Sequence, residues 1–88
     1  MMINTNEEEA AGVGTVIATA RRLAMDADLV PETVVECGSL ADLRAVCETE
    51  AAALPTDPRT GRFTTAADVR LWRALHCGGK TAGYLADR

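Results

Sequence analysis

The sequence predicts an all-α fold, a small compact bundle of three main helices followed by a short C-terminal helix. Apolar residues recur at helical spacing in three segments, and a Ser or Thr followed three residues later by Asp precedes two of them. The connections between these segments are short, which favours close packing of successive helices. With 88 residues, the chain is expected to form a single helical domain over 1–88.

The first helix is expected over residues 7–29. Asn6 is a suitable N-cap, and Glu7, Glu8 and Glu9 in the first turn complement the positive end of the helix dipole. On a helical wheel, seven apolar residues gather on one side. They are Val13, Val16, Ile17, Ala20, Leu23, Ala24 and Ala27.

The ends of this helix allow alternatives. Gly12 and Gly14 each cost about 1 kcal/mol inside a helix, so a start near Thr15 is the alternative to the early start. Pro31 ends the helix, because the residue before a proline is pushed out of the helical conformation. Residues 33–37 form either a short strand or an extended linker. Because no second strand-like segment is available for pairing, we expect the linker.

The second helix is expected over residues 40–54, behind a capping motif formed by Ser39 and Asp42. Its apolar positions recur every three or four residues, as in a helix with one buried side. They are Leu40, Leu43, Val46, Cys47, Ala51 and Leu54.

An exposed loop is expected over residues 55–63. Pro55 and Pro58 interrupt the helical pattern, and the residues around them have the Pro, Asp and Gly composition of turns. The loop carries Arg59 and Arg62.

The third helix is expected over residues 65–77, behind a second capping motif formed by Thr65 and Asp68. Its apolar side consists of Ala67, Leu71, Ala74 and Leu75, with Trp72 at the flank. Leu71 is expected to be buried, so its replacement by alanine would cost about 2–5 kcal/mol.

A glycine pair is expected to end the third helix. Gly78 and Gly79 have the composition of a helix C-terminus. A short final helix then follows over residues 81–87, with Tyr84 and Leu85 packing back onto the bundle.

The net charge of −4 is unevenly distributed along the chain. Residues 1–58 contain eleven acids and three bases, whereas residues 59–88 contain two acids and six bases. The two parts therefore have net charges of −8 and +4. Such opposite charges either neutralise each other within one fold or promote head-to-tail self-association, so a homodimer is one expectation.

A cytoplasmic location is expected. The sequence has no apolar run long enough for a transmembrane helix, and its N-terminal residues lack the basic start and apolar stretch of a signal peptide. Three cysteines, an odd number, favour reduced thiols over a disulfide framework.

Neither a metal site nor a catalytic site is expected. Cys37, Cys47, Cys77 and His76 have the ligand types of a Cys3His zinc site, but no pair of cysteines has the close spacing of a zinc knuckle. His76 is the only base available for cysteine nucleophile chemistry, and no orienting motif surrounds it. We therefore expect no cofactor, no metal and no enzyme activity.

Residues 65–88 resemble the opening of helix-turn-helix units, in which an Asp-Val-Arg helix leads through a Gly-x-Thr turn to a Leu-Ala helix. The matching residues are Asp68, Val69, Arg70, Arg73, Leu75, Gly79, Thr81, Leu85, Ala86 and Arg88. In such units a following helix contacts the bases, and no further helix follows within these 88 residues. The resemblance therefore implies contacts to phosphates rather than recognition of a base sequence.

The leading hypothesis is a small acidic protein-binding module, such as a regulator, inhibitor or adaptor of the kind found in phages and mobile elements. Its acidic face would attract a basic surface on the partner protein. The residues of this face are Glu7, Glu8, Glu9, Asp26, Asp28, Glu32, Glu36, Glu48 and Glu50.

The alternative is a nucleic-acid-binding accessory protein that uses the basic C-terminal part of the chain. Six cations would contact phosphates. They are Arg59, Arg62, Arg70, Arg73, Lys80 and Arg88.

Overall fold

Four helices make up the fold, and the all-α prediction is confirmed. The computed structural model describes residues 5–25 and 29–87, and side chains from residue 11 onward within them. The helices are α1 (Thr5–Ala24), α2 (Glu32–Val35), α3 (Leu40–Ala52) and α4 (Ala66–Ala86). Within these ranges, extended pairing is limited to one isolated antiparallel bridge, between Thr56 and Phe63.

Helix α4 is the centre of the bundle. It packs along both α1 and α3, whereas α1 and α3 have few contacts with each other. Gly79 faces Cys47 of α3, and Gly83, one turn later, faces Arg44, one turn earlier on α3. Helices α3 and α4 are therefore antiparallel.

The core is made almost entirely of small and aliphatic side chains. The largest fully buried residues are Leu43, Leu75, Val16, Val34 and Cys47. The predicted apolar side of α1 is confirmed for five residues and half-buried Leu23, while Ala27 lies outside the described residues. The five buried residues are Val13, Val16, Ile17, Ala20 and Ala24.

Both predicted capping motifs are confirmed. The Ser39 hydroxyl accepts a hydrogen bond from the backbone N–H of Asp42 at 3.1 Å. The Thr65 hydroxyl accepts one from the backbone N–H of Asp68, also at 3.1 Å. Each cap satisfies a donor that has no partner within the helix and contributes about 1 kcal/mol. The starts of α3 and α4 are therefore set by local side-chain chemistry.

The predicted bounds of the first helix were wrong. Helix α1 begins at Thr5, so Asn6 lies within its first turn, and the alternative start near Thr15 is wrong as well. The helix ends at Ala24, earlier than the expected end near residue 29, because Met25 adopts a left-handed backbone conformation with φ of 62°.

The expectation of an extended linker over residues 33–37 was wrong. Residues Glu32–Val35 form a single helical turn, which follows Pro31 directly. Val34 in this turn is fully buried in the core. Burial of Val34 against the bundle thus overrides the extended preference of three consecutive β-branched residues, Thr33, Val34 and Val35.

The prediction that Gly78 and Gly79 end the third helix was also wrong. Instead of separate helices over 65–77 and 81–87, α4 is one continuous helix of 21 residues. A Cβ atom at Gly79 would lie 3.3 Å from Cβ of Cys47, and one at Gly78 would lie 3.6 Å from Val16. Gly79 therefore allows α4 to approach α3 closely, whereas the contact of Gly78 with α1 is an ordinary packing distance. Residues 79–81, the turn of the helix-turn-helix resemblance, lie inside this helix.

Of the two leucines predicted on the apolar side of α4, only one is fully buried. Leu71 is only partly buried at the edge of the core, whereas Leu75 is 1% exposed. The full loss in the free energy of unfolding on truncation to alanine is therefore expected at Leu75 rather than at Leu71.

Residues 55–63, the segment expected to be an exposed loop, fold into a tight turn. The N–H of Asp57 donates to the carbonyl of Arg62 at 2.7 Å, and Gly61 provides the positive φ that the turn requires. The side chains of Arg59 and Arg62 are exposed on it.

Candidate functional site

An open groove of about 610 Å³ runs between α3 and α4. Its lining residues repeat at helical spacing on both helices, so the groove follows the helix axes. From Trp72 to Asp87 it is about 22 Å long, as the rise of an α-helix requires. The lining consists of Arg44, Cys47, Glu48, Ala51 and Ala52 on the α3 side and Trp72, Leu75, His76, Gly79, Lys80, Gly83, Tyr84 and Asp87 on the α4 side.

A row of aromatic rings forms one end of the groove. The Trp72 ring stacks on His76, with centroids 4.6 Å apart and planes 11° apart. Trp72 also packs against Phe63, with ring centroids 5.9 Å apart and planes tilted by 40°. Tyr84, three turns further along α4, lies toward the other end. The tight turn before α4 thus supplies Phe63, which holds the Trp72 ring in place.

Exposed apolar residues concentrate on one side of α4. Large apolar side chains are exposed at five positions in the described part of the chain, and three of these, Val69, Trp72 and Tyr84, lie on this side. Tyr84 is 66% exposed. We call the surface that contains them the outer face of α4, which spans about 120° of the helix. It consists of Val69, Trp72, Arg73, His76, Lys80, Tyr84 and Asp87.

Charged side chains border the groove. The Arg44 side chain lies across Gly83, and its Nε atom is 3.3 Å from Oε1 of Glu48. Both partners of this ion pair are largely exposed, so it contributes little to stability. Lys80 is exposed and forms no ion pair with any residue that the structure describes. The α4 side of the groove therefore offers an unneutralised cation.

The acids predicted to form a binding face do not share one surface where their side chains are described. Glu50 accepts a hydrogen bond from the Thr33 hydroxyl at 3.0 Å, which places it beside α2 with Glu32 and Glu36. Glu48 lies on another side of α3, in the groove. The side chains of Glu7, Glu8, Glu9, Asp26 and Asp28 lie outside the described residues.

The predicted basic residues are exposed where they are described. Arg59 and Arg62 lie on the turn before α4, and Arg70 lies outside the outer face. The other two described cations, Arg73 and Lys80, belong to the outer face. Arg88 lies outside the described residues.

The thiols of Cys37 and Cys47 are poorly suited to nucleophilic chemistry. Burial, together with the smaller effects of the nearby Cys37 and Glu48, raises the pKa of Cys47 to about 11. Burial and then the charge of Asp42 raise the pKa of Cys37, whose Sγ donates a hydrogen bond to the carbonyl of Thr33. Both groups are thus protonated thiols at neutral pH, and the thiolate is the reactive form.

Over the described ranges, no group of three or more His, Cys, Asp and Glu side chains is arranged to hold a metal ion. None of the helices in those ranges is long and apolar enough to cross a membrane. No protein-family model matches the chain, and neither a curated protein nor a solved structure gave a match.

Sequence reasoning missed the groove as a candidate site. Two signals for it were present, the flanking position of Trp72 and the four-residue spacing of Gly79 and Gly83. Small residues at this spacing allow two helices to approach closely. The groove forms only where α3 and α4 lie side by side in the folded chain, so the sequence alone does not show it.

Proposed function

We propose that the chain is a non-enzymatic protein-binding module, a regulator, inhibitor or adaptor, whose binding surface is the groove between α3 and α4. The observation that carries this proposal is the pair of exposed aromatic residues in the groove, Trp72 and Tyr84. Aromatic side chains bury a large area at a small cost in conformational entropy, and they are enriched in protein interfaces.

The shape of the groove suits a helical partner segment. Its length of about 22 Å corresponds to about four helical turns. The small residues Ala51 and Ala52 on the α3 side of the lining leave room for side chains of an opposing helix. An amphipathic helix would place one apolar ridge along such a groove, with anchor residues every three or four positions.

We expect replacement of both Trp72 and Tyr84 by alanine to abolish partner binding. The immobilised wild-type chain and the double variant are compared by affinity capture with mass spectrometry, using lysate to which untagged chain has been added. A Met25→Ala, Val35→Ala variant is the matched control, because it also truncates two exposed apolar residues but lies outside the groove. Circular dichroism verifies that all three proteins are folded.

We expect a partner protein that is retained by the wild type and by the Met25→Ala, Val35→Ala control. The variant in which Trp72 and Tyr84 are both replaced by alanine should not retain it. Retention of the same proteins by all three chains, or of none by the wild type, would contradict the proposed function.

Nucleic-acid binding is a second candidate function. The observation in its favour is a set of exposed cations, Arg59, Arg62, Arg70, Arg73 and Lys80, none of which forms an ion pair within the described ranges. Cations that contact phosphates release counterions, so binding would weaken steeply with salt.

For this candidate, fluorescence anisotropy with labelled duplex DNA would show binding at about 50 mM salt that is largely lost at about 200 mM. Arg70→Glu combined with Arg73→Glu would abolish it. The control, Arg21→Glu with Arg22→Glu, makes the same charge change on α1, where both residues are exposed. Absence of binding at the lower salt concentration would exclude this candidate.

A further inference from the structure

The outer face of α4 is complementary to itself when two copies of the helix are antiparallel. Resting on the proposed role of the groove as a protein-binding surface, we propose that its occupant is α4 of a second copy of this chain. The two copies are related by a twofold axis perpendicular to α4 at the level of Gly78.

The exposed aromatic residues are arranged symmetrically about this axis. Trp72 lies six residues before Gly78 and Tyr84 lies six residues after it, about 9 Å along the helix in each direction. The axis therefore brings Trp72 of each copy to the same level along the helix as Tyr84 of the other. By symmetry this match occurs twice along the interface, and it involves the two exposed large apolar side chains of the groove.

The charges of the groove are also complementary under this axis. On α3, Cys47 contacts the positions of Gly78 and Gly79, so the adjacent Glu48 lies close to the level of the axis. Lys80 of one copy thus comes within about 3 Å, along the axis direction, of the level of Glu48 in the other. Lys80, which forms no ion pair within the described part of its own chain, gains one across the interface.

The arrangement of the remaining charges favours the antiparallel orientation. Under the same axis Arg73 lies one helical turn from the level of Asp87 in the second copy. In a parallel pair, by contrast, Lys80 would face Lys80 and Arg73 would face Arg73. Opposed like charges are destabilising at an interface, and the antiparallel pair separates the two Lys80 residues by about 6 Å along the helix.

A charge exchange tests the proposal. Sedimentation equilibrium is measured from about 1 to about 200 µM for the wild type, Lys80→Glu, Glu48→Lys and the variant with both changes. We expect a reversible dimer for the wild type and an increase in the dimer Kd of about tenfold or more for each single change. The double variant should recover a Kd within about threefold of the wild type.

Recovery of the dimer Kd in the double variant indicates that Lys80 of one copy contacts Glu48 of the other. Glu48→Lys removes the ion pair with Arg44 within one chain, and that pair stays absent in the double variant. Arg21→Glu makes the same charge change as Lys80→Glu at an exposed site on α1, and it should leave the Kd unchanged.

Three outcomes would overturn the inference, and they bear differently on the proposed function. A wild-type chain that is monomeric at the highest concentration, while the groove captures another protein, overturns only the identity of the occupant. A double variant no better than the single variants overturns the antiparallel arrangement. A dimer unaffected by truncation of both Trp72 and Tyr84 overturns the inference, because the groove then takes no part in self-association. If, in addition, the groove captures no other protein, the proposed function is contradicted as well.

Discussion

Replacement of Leu75 by alanine is expected to lower the free energy of unfolding by about 2–5 kcal/mol. Leu75 is 1% exposed and is one of the two largest fully buried side chains, together with Leu43 of α3. The core around it consists mainly of Ala, Val and Leu, so no large flexible side chain is available to fill the cavity. The loss should therefore lie toward the upper part of the range.

Leu71→Ala is the matched control for this measurement. It removes the same atoms from the same helix one turn earlier, but Leu71 is only partly buried. We expect a loss of about 1–2 kcal/mol, in proportion to the smaller apolar area removed from water. Urea unfolding followed by circular dichroism, at one low protein concentration for all variants, measures both values. Equal losses at the two positions would contradict the burial described for α4.

The expected loss at Leu75 is large relative to the total stability. Small domains are stable by about 5–15 kcal/mol, and a chain of this size lies toward the lower end of that range. We therefore expect Leu75→Ala to leave a substantial unfolded population at physiological temperature.

Replacement of Gly79 by leucine is the second change with a large expected effect. The new Cβ would lie 3.3 Å from Cβ of Cys47 and 3.9 Å from the backbone carbonyl oxygen of Arg44. The rest of the leucine side chain would force α3 and α4 apart, at a cost of about 1–3 kcal/mol or more. This cost exceeds the gain in helix propensity of about 0.8 kcal/mol. A net decrease in the urea midpoint is expected.

Gly14→Leu provides a control with the same chemical change. Gly14 is exposed within α1, and a Cβ there would meet nothing within 4 Å. The gain in helix propensity is therefore unopposed, and the variant should be more stable than the wild type by about 0.8 kcal/mol. If both glycine variants are stabilised, the close approach of α3 and α4 at Gly79 is wrong.

The Gly79 variant also connects the fold to the proposed site. The groove is formed by α3 and α4 at the separation that Gly79 and Gly83 allow. A wedge between the helices would change the width of the groove as well as the stability of the bundle. Such a variant is therefore unsuitable for testing binding, whereas truncation of exposed Trp72 and Tyr84 changes the surface directly.

Features set by nearby residues were predictable from the sequence. The caps at Ser39 and Thr65 each depend on a hydroxyl and an N–H three residues apart, so the motif alone identifies them. The buried side of α1 follows from the helical period, and its five core residues were predicted correctly. The all-α class follows from the same two kinds of pattern.

The sequence by itself determined the helix class, the apolar sides of the helices and two helix starts, because these depend on interactions within one or two turns. Only the tertiary structure decided whether Gly78 and Gly79 end α4 or lie within it. Two glycines cost a helix about 2 kcal/mol, and close packing against α1 and α3 offsets that cost. The groove depends on the same packing, since its two sides are separated in sequence and become one surface only when α3 lies against α4.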